Sequence, residues 1–205
     1  LMQPVLVRFT DKKITRRVAV LVDGSASMRF VDRQWQPRER LAWAAHLGRL
    51  NAAQRKTLAD EKSDAEALWN GLPQSDRDAV NTLCETTRVS LACDLLMRPG
   101  AEGAEPFLKK LGSRYDLDLF TFGRGLSRIT EAELARGLVG TGGTAFAEQY
   151  FRSATDFTTA LEGILKDVPS EQLAGVLVLS DGIHNADTSV LPVTRRFGAQ
   201  GAPVS

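Results

Sequence analysis

Apolar residues in this chain fall into two kinds of pattern. Residues 18–22 (Val-Ala-Val-Leu-Val) are apolar without a break and run into Asp23-Gly24. Residues 175–179 (Gly-Val-Leu-Val-Leu) do the same and run into Ser180-Asp181-Gly182. Residues 117–122 are interrupted only by Asp118 and Thr121 and stop at Gly123. Short apolar runs bounded by turns predict strands buried on both faces, as in a parallel sheet. Val5, Val7 and Phe9 alternate with other residues, which predicts an edge-like strand, and Pro203-Val204-Ser205 predicts the opening of a further one. Elsewhere the spacing is helical. Over residues 156–168, Phe157, Ala160, Leu161, Ile164, Leu165 and Val168 form one stripe. Thr155 is its candidate N-cap, with Asp156 placed in the first turn. Residues 88–97 are apolar nearly all round and predict a buried helix closed by Pro99-Gly100. Shorter helices are predicted over 106–112, 131–136 and 191–199. Strands alternating with helices predict an α/β fold, a three-layer doubly wound (Rossmann-like), mostly parallel sheet with helices on both faces.

Residues 33–86 break the alternation. They carry no strand signal and predict one long helix over 38–60 and two shorter ones over 64–72 and 75–84, broken at Gly71-Leu72-Pro73. The expected organisation is therefore an α/β unit made of 1–32 and 87–205, lacking its last elements, with an all-helical insertion over 33–86. Trp35, Trp43 and Trp69 all lie in or beside this insertion and are expected to pack it against the rest.

Composition narrows the function classes. The 205 residues are 43% hydrophobic and 25% charged, which excludes a disordered tail or a rod. A net charge of +1 gives no global pull toward nucleic acid, so no nucleic-acid partner is expected. Cys84 and Cys93 make no disulfide framework and read as buried apolar residues. No apolar run is long enough to span a bilayer, so membrane attachment is expected only through segments outside this chain. Lys12, Lys13, Arg16 and Arg17 are read as a solvated turn.

The candidate chemistry sits where the buried strands end. Asp23-Gly24-Ser25-Ala26-Ser27 follows one, and Ser180-Asp181-Gly182 follows another. Ligand sites of open α/β sheets lie at the carboxyl ends of the strands. If these two strands are neighbours, carboxylates and hydroxyls converge there. Such hard oxygen donors suit Mg²⁺, Mn²⁺ or Ca²⁺ and not zinc. With few carboxylates, a cation would remain incompletely neutralised and keep an open position.

The Asp23-x-Ser25-x-Ser27 element, a later Thr and the Ser180-Asp181-Gly182 strand end, in this order, resemble the von Willebrand factor type A domain with its metal-ion-dependent adhesion site. The resemblance covers residues 14–32 and 87–205. It implies metal ligation by Asp23, Ser25, Ser27, Thr155 and Asp181. Ser25 and Ser27 would bind directly, Thr155 directly or through water, and Asp23 and Asp181 mostly through water. Two threonines compete for the third hydroxyl. Thr155 stands 26 residues before Asp181, the length of a helix, a loop and a strand, whereas Thr144, in Gly142-Gly143-Thr144, stands 37 before it and leaves residues 145–152 over. Thr155 is preferred; Gly24, Gly143, Thr144, Asp156, Gly182 and His184 are possible rim residues. Tyr115-Asp116-Leu117-Asp118-Leu119-Phe120 is similar to a strand of membrane-anchored bacterial members of the family. The implied function is a binding module without enzymatic activity, in which the cation captures an Asp or Glu of a partner protein and no small-molecule substrate is involved. A metal-dependent phosphohydrolase is the alternative; such enzymes typically place a paired Asp-x-Asp beside the metal, where this chain has Asp23-Gly24-Ser25, and the sequence has no phosphate-binding glycine loop. A structural module with an unused site is another. His184 is expected to be a surface histidine without a ligand role, and His46 has no partner at ligand spacing.

Overall fold

The computed structural model describes residues 15–99, 104–138 and 145–205. The strand expected over residues 5–9, Lys12 and Lys13, and the rim candidates Gly143 and Thr144 lie outside the described residues. The strands are β1 (Arg17–Asp23), β2 (Asp116–Phe122), β3 (Leu126–Arg128) and β4 (Leu173–Leu179). The helices are α1 (Pro37–His46), α2 (Ala52–Ala59), α3 (Ala65–Asn70), α4 (Gln74–Leu83), α5 (Arg88–Met97), α6 (Phe107–Gly112), α7 (Glu131–Ala135), α8 (Ala145–Arg152), α9 (Phe157–Asp167) and α10 (Leu191–Ala199). A short 3₁₀ turn over Ala26–Arg29 follows β1.

The sheet order is β3-β2-β1-β4, so the first buried strand of the sequence is central. It pairs in parallel with β2 (Asp23 opposite Phe122) and with β4 (Val22 opposite Leu179). Val204 forms a parallel bridge to Val176, so the chain's last residues open the next strand on the far side of β4. The alternation along β1 divides the core. Ala19 and Leu21 pack with Phe120 and Phe122 against α9 and α10. Val18, Val20 and Val22 pack on the other face against α5, α6 and α7. The doubly wound α/β architecture is thus present, with helices on both faces of the sheet. Burying a side chain of this size stabilises by about 1.5–3 kcal/mol, and Leu21, Phe120 and Phe122 are each fully buried.

Asp118 interrupts the apolar run of β2 and is itself buried. It is matched by Arg17, with Nε 2.8 Å from its carboxylate, and by Arg128 of β3. Arg17 therefore anchors a buried carboxylate and does not belong to a solvated turn. The β2–β3 hairpin is antiparallel and too short to leave a periodic signal in the sequence.

Among the described residues, 33–86 contain helices and no strand. The long helix expected over 38–60 is two helices. After α1, Gly48 adopts φ 71°, Arg49 N–H donates to Ala44 O at 2.8 Å and Gly48 N–H to Ala45 O at 3.1 Å. This is a Schellman stop, and Asn51 then caps α2, its side chain accepting from Gln54 N–H at 2.9 Å. The helices share a cluster of their own around Trp35, Leu41, Leu50, Trp69, Val80 and Leu83, joined from α5 by Leu91. Trp35 and Trp43 stack at 6.0 Å between ring centroids. The tryptophans therefore pack the helical excursion mainly against itself. Among the described residues no helix is long and apolar enough to cross a membrane. Cys84 and Cys93 are free and buried, and burial pushes the Cys93 thiol up to about 12.

Candidate metal centre

Because β1 and β4 are neighbours in parallel register, both acidic turns leave the sheet at the same end. Asp23, the last residue of β1, is fully buried. Its Oδ1 accepts the backbone N–H of Ser25 at 2.8 Å, and its Oδ2 accepts the Ser180 hydroxyl at 2.7 Å. The first bond folds the chain tightly after the strand and aims Ser25 back at the sheet end. Gly24 lies between them where a Cβ would stand 2.6 Å from Thr121 Oγ1, so a side chain is excluded there. The 3₁₀ turn brings Ser27 round to Ser25, and their hydroxyl oxygens are 3.0 Å apart. Asp23, Ser25, Ser27 and Ser180 are thus joined in one hydrogen-bonded group.

Asp181 and Thr155 are held by other partners. Asp181 Oδ1 accepts Ile183 N–H at 3.1 Å, and its Oδ2 accepts from Arg88 Nη1 at 2.9 Å. Gly182, at φ 79°, makes the turn in a conformation that a Cβ strains. Thr155 is buried, and its main chain is tied to the loop after β4: its N–H donates to Asn185 Oδ1 at 2.6 Å and its carbonyl accepts Asn185 N–H at 3.2 Å. The N-cap of α9 is Asp156 and not Thr155. The Asp156 carboxylate accepts Thr159 N–H at 3.0 Å and Thr159 Oγ1–H at 2.6 Å. A carboxylate outcompetes a hydroxyl for the positive end of the helix, which leaves the Thr155 side chain free of that duty. His184 clasps its loop. Its Nε2–H points to Thr188 O at 2.6 Å, its Nδ1 accepts Phe157 N–H at 3.4 Å, and its ring lies 5.8 Å from that of Phe157.

Charge is unevenly shared. Burial raises the Asp23 carboxyl above its ordinary value, opposed by the hydrogen bonds from Ser180 and Ser25 and reinforced by the Asp181 charge. Arg88 goes instead to Asp181 and, with two nitrogens, to Asp32, whose carboxyl the bonds from Arg88 hold below its ordinary value. Asp23 is therefore a buried carboxylate held by hydrogen bonds from Ser25 and Ser180, while Arg88 pairs with Asp181 and Asp32. Octahedral oxygen ligands at the Mg²⁺ distance of about 2.0–2.1 Å stand about 2.8–3.0 Å apart along an edge. The 3.0 Å between the Ser25 and Ser27 hydroxyls serves both as a hydrogen bond and as such an edge. The residues present fit a hard divalent cation. Among the described residues no group of three or more His, Cys, Asp and Glu could hold a metal.

Arg88 and Asp32 were missed by sequence reasoning, whereas Asn185, which follows the Asp181 turn, could be read as lining the site. Asp32 and Arg88 stand as opposite charges at the two ends of the helical excursion, a signal that could have found both. The bonds of Asn185 to the Thr155 main chain were not legible, because they depend on the fold of two loops.

No protein-family model matches the chain, and a search of curated proteins finds no match. Among solved structures, the chain is similar to proximal thread matrix protein 1 from the mussel byssus. In one crystal form the TM-score is 0.41 at 12% identity, covering 93% of this chain and 37% of that one. A second structure of that protein, described as having a zinc-occupied MIDAS motif, gives 0.37 at 13% identity with the same coverage. The chain thus spans just over a third of the length of those chains.

Proposed function

We propose that the corner formed by Asp23, Ser25, Ser27, Thr155 and Asp181 holds one divalent cation and that the protein is a metal-dependent binding module of the von Willebrand factor A type. The observation that carries this reading is the hydrogen-bonded Asp23–Ser25–Ser27–Ser180 group at the carboxyl ends of adjoining parallel strands. Ser25 and Ser27 offer hydroxyls directly to the ion. Asp23 and Asp181 supply negative charge, and Asp23 also fixes Ser25 through its backbone. Thr155 is the third hydroxyl, presented by the loop that Asn185 holds. Mg²⁺ is the preferred cation on the oxygen spacing, and Ca²⁺, with bonds of about 2.3–2.6 Å, calls for a wider edge. A cation so held supplies uncompensated positive charge, which suits an Asp or Glu of a protein partner.

In this reading residues 1–32 and 87–205 are the von Willebrand-type unit, and 33–86 is an insertion beside the site that selects the partner. The likeness to membrane-anchored bacterial members is a narrower proposal, and the sequence adjoining this segment tests it. The turn after β1 reads Asp23-Gly24-Ser25 and not the paired Asp-x-Asp typical of metal-dependent phosphohydrolases, which favours binding over hydrolysis. The test is calorimetric titration with Mg²⁺ and Mn²⁺. One ion per chain, abolished by Asp23→Ala or by Ser25→Ala with Ser27→Ala, supports the reading. Uptake unchanged in these variants contradicts it. Metal-dependent turnover of phosphate esters that Asp23→Ala removes would establish the enzymatic alternative.

A further inference from the structure

Arg88 is the first residue of α5, where the helical excursion rejoins the α/β layers. Its N–H donates to Phe30 O at 3.1 Å. Its guanidinium gives Nε to Asp32 Oδ2 at 2.6 Å, Nη2 to Asp32 Oδ1 at 2.8 Å and Nη1 to Asp181 Oδ2 at 2.9 Å. One side chain therefore bridges the neck of the excursion and the rim of the candidate metal site. The three groups differ in burial: the side chain of Asp181 is 8% exposed, that of Arg88 30% and that of Asp32 44%. Clefts open on both sides of the pair, one running under Trp35 and Trp43 and the other along Ser180, Asp181 and Ile183.

We propose that Arg88 is an internal counter-cation that competes with the bound divalent ion for Asp181, and that Asp32 restrains it. The inference rests on the metal-binding reading of the corner. A cation's affinity rises with the net negative charge of the groups around it. Asp23 and Asp181 supply that charge, Arg88 cancels part of it, and Asp32 cancels part of Arg88. The two partners of one ion pair therefore act on the ion in opposite directions. A merely structural pair behaves otherwise, because breaking it from either side loosens the rim and weakens binding.

The experiment is Mn²⁺ titration of the full chain and its variants by calorimetry, with thermal unfolding in chelator to confirm that each variant is folded. R88Q is expected to bind Mn²⁺ about five-fold more tightly and D32N about five-fold more weakly, the scale a unit charge exerts on a divalent ion across a water-like dielectric. The double variant, which removes both opposing charges, is expected within about two-fold of the unaltered chain. R88K, which keeps the charge, is expected to stay near the unaltered chain. If R88Q does not fold, D32N and R88K decide the matter, because Asp32 is the most exposed member. Shifts of R88Q and D32N in the same direction, or no shift in either, overturn the inference while leaving the metal site standing. Absence of any Mn²⁺ uptake by the unaltered chain overturns both.

Discussion

Gly123→Ala is the substitution that most sharply links packing to the candidate site. Gly123 follows β2, and a Cβ there would overlap Phe151 O and stand 3.2 Å from Phe151 C and 3.3 Å from Ala154 O. These are backbone atoms, so no side-chain rotation relieves the overlap. Restoring an ordinary contact of about 3.4 Å moves the 151–156 segment by about 1 Å. That segment is held to the end of β2 by Arg124 N–H to Phe151 O at 2.8 Å and Asp156 N–H to Gly123 O at 2.9 Å. Overpacking costs about 1–3 kcal/mol, and each weakened backbone hydrogen bond adds about 1 kcal/mol. The expected loss is therefore about 2–4 kcal/mol in urea unfolding, with an unchanged m-value. Thr155 travels with the segment, so Mn²⁺ affinity is expected to fall by about ten-fold or more even where the variant remains fully folded. A loss below about 0.5 kcal/mol with unaltered Mn²⁺ affinity would refute the claim that this contact positions Thr155.

Gly198 near the end of α10 has open space where a Cβ would stand and no left-handed backbone; Gly198→Ala is expected to stabilise by about 0.5 kcal/mol in the same urea assay. Leu41 is fully buried in the helical cluster, and Leu41→Ala is expected to cost about 2–5 kcal/mol, measured by urea unfolding followed through tryptophan fluorescence. The raised Asp23 carboxyl means that the folded, ion-free chain holds this proton more tightly than the unfolded chain. Its contribution to stability is present below the ordinary carboxylate range and is lost as pH rises through the raised value. In chelator, Asp23→Asn is expected to remove that part of the pH dependence of the melting temperature; an unchanged profile contradicts the role assigned to burial.

The sheet was legible because its strands are buried on both faces, and residues 18–22 and 175–179 write that burial as unbroken apolar runs. β3 was not, because three residues paired on one side, Leu126–Arg128, carry no period. The split between α1 and α2 hinged on Gly48 and Asn51, local stop and start signals that the apolar spacing of Leu41, Leu47, Leu50 and Leu58 overrode. At the candidate site, the turn after β1 was readable from Asp23, Ser25 and Ser27, whose bonds are local. Asp118 looked like an interruption and is a buried charge whose partners, Arg17 and Arg128, lie 101 and 10 residues away. Arg88 with Asp32 and Asp181 spans 56 and 93 residues, and only the fold brings them together.

The proposed function requires a cation between the Ser25 and Ser27 hydroxyls at the end of β1. Diffraction from crystals soaked in Mn²⁺, with the anomalous difference map computed at the manganese edge, tests this directly. The expected result is one peak within bonding distance of both Oγ atoms, facing Asp23 and Asp181, that disappears in Asp23→Ala crystals. A map with no peak at that corner in well-soaked crystals, or a peak bound elsewhere on the chain, would contradict the account.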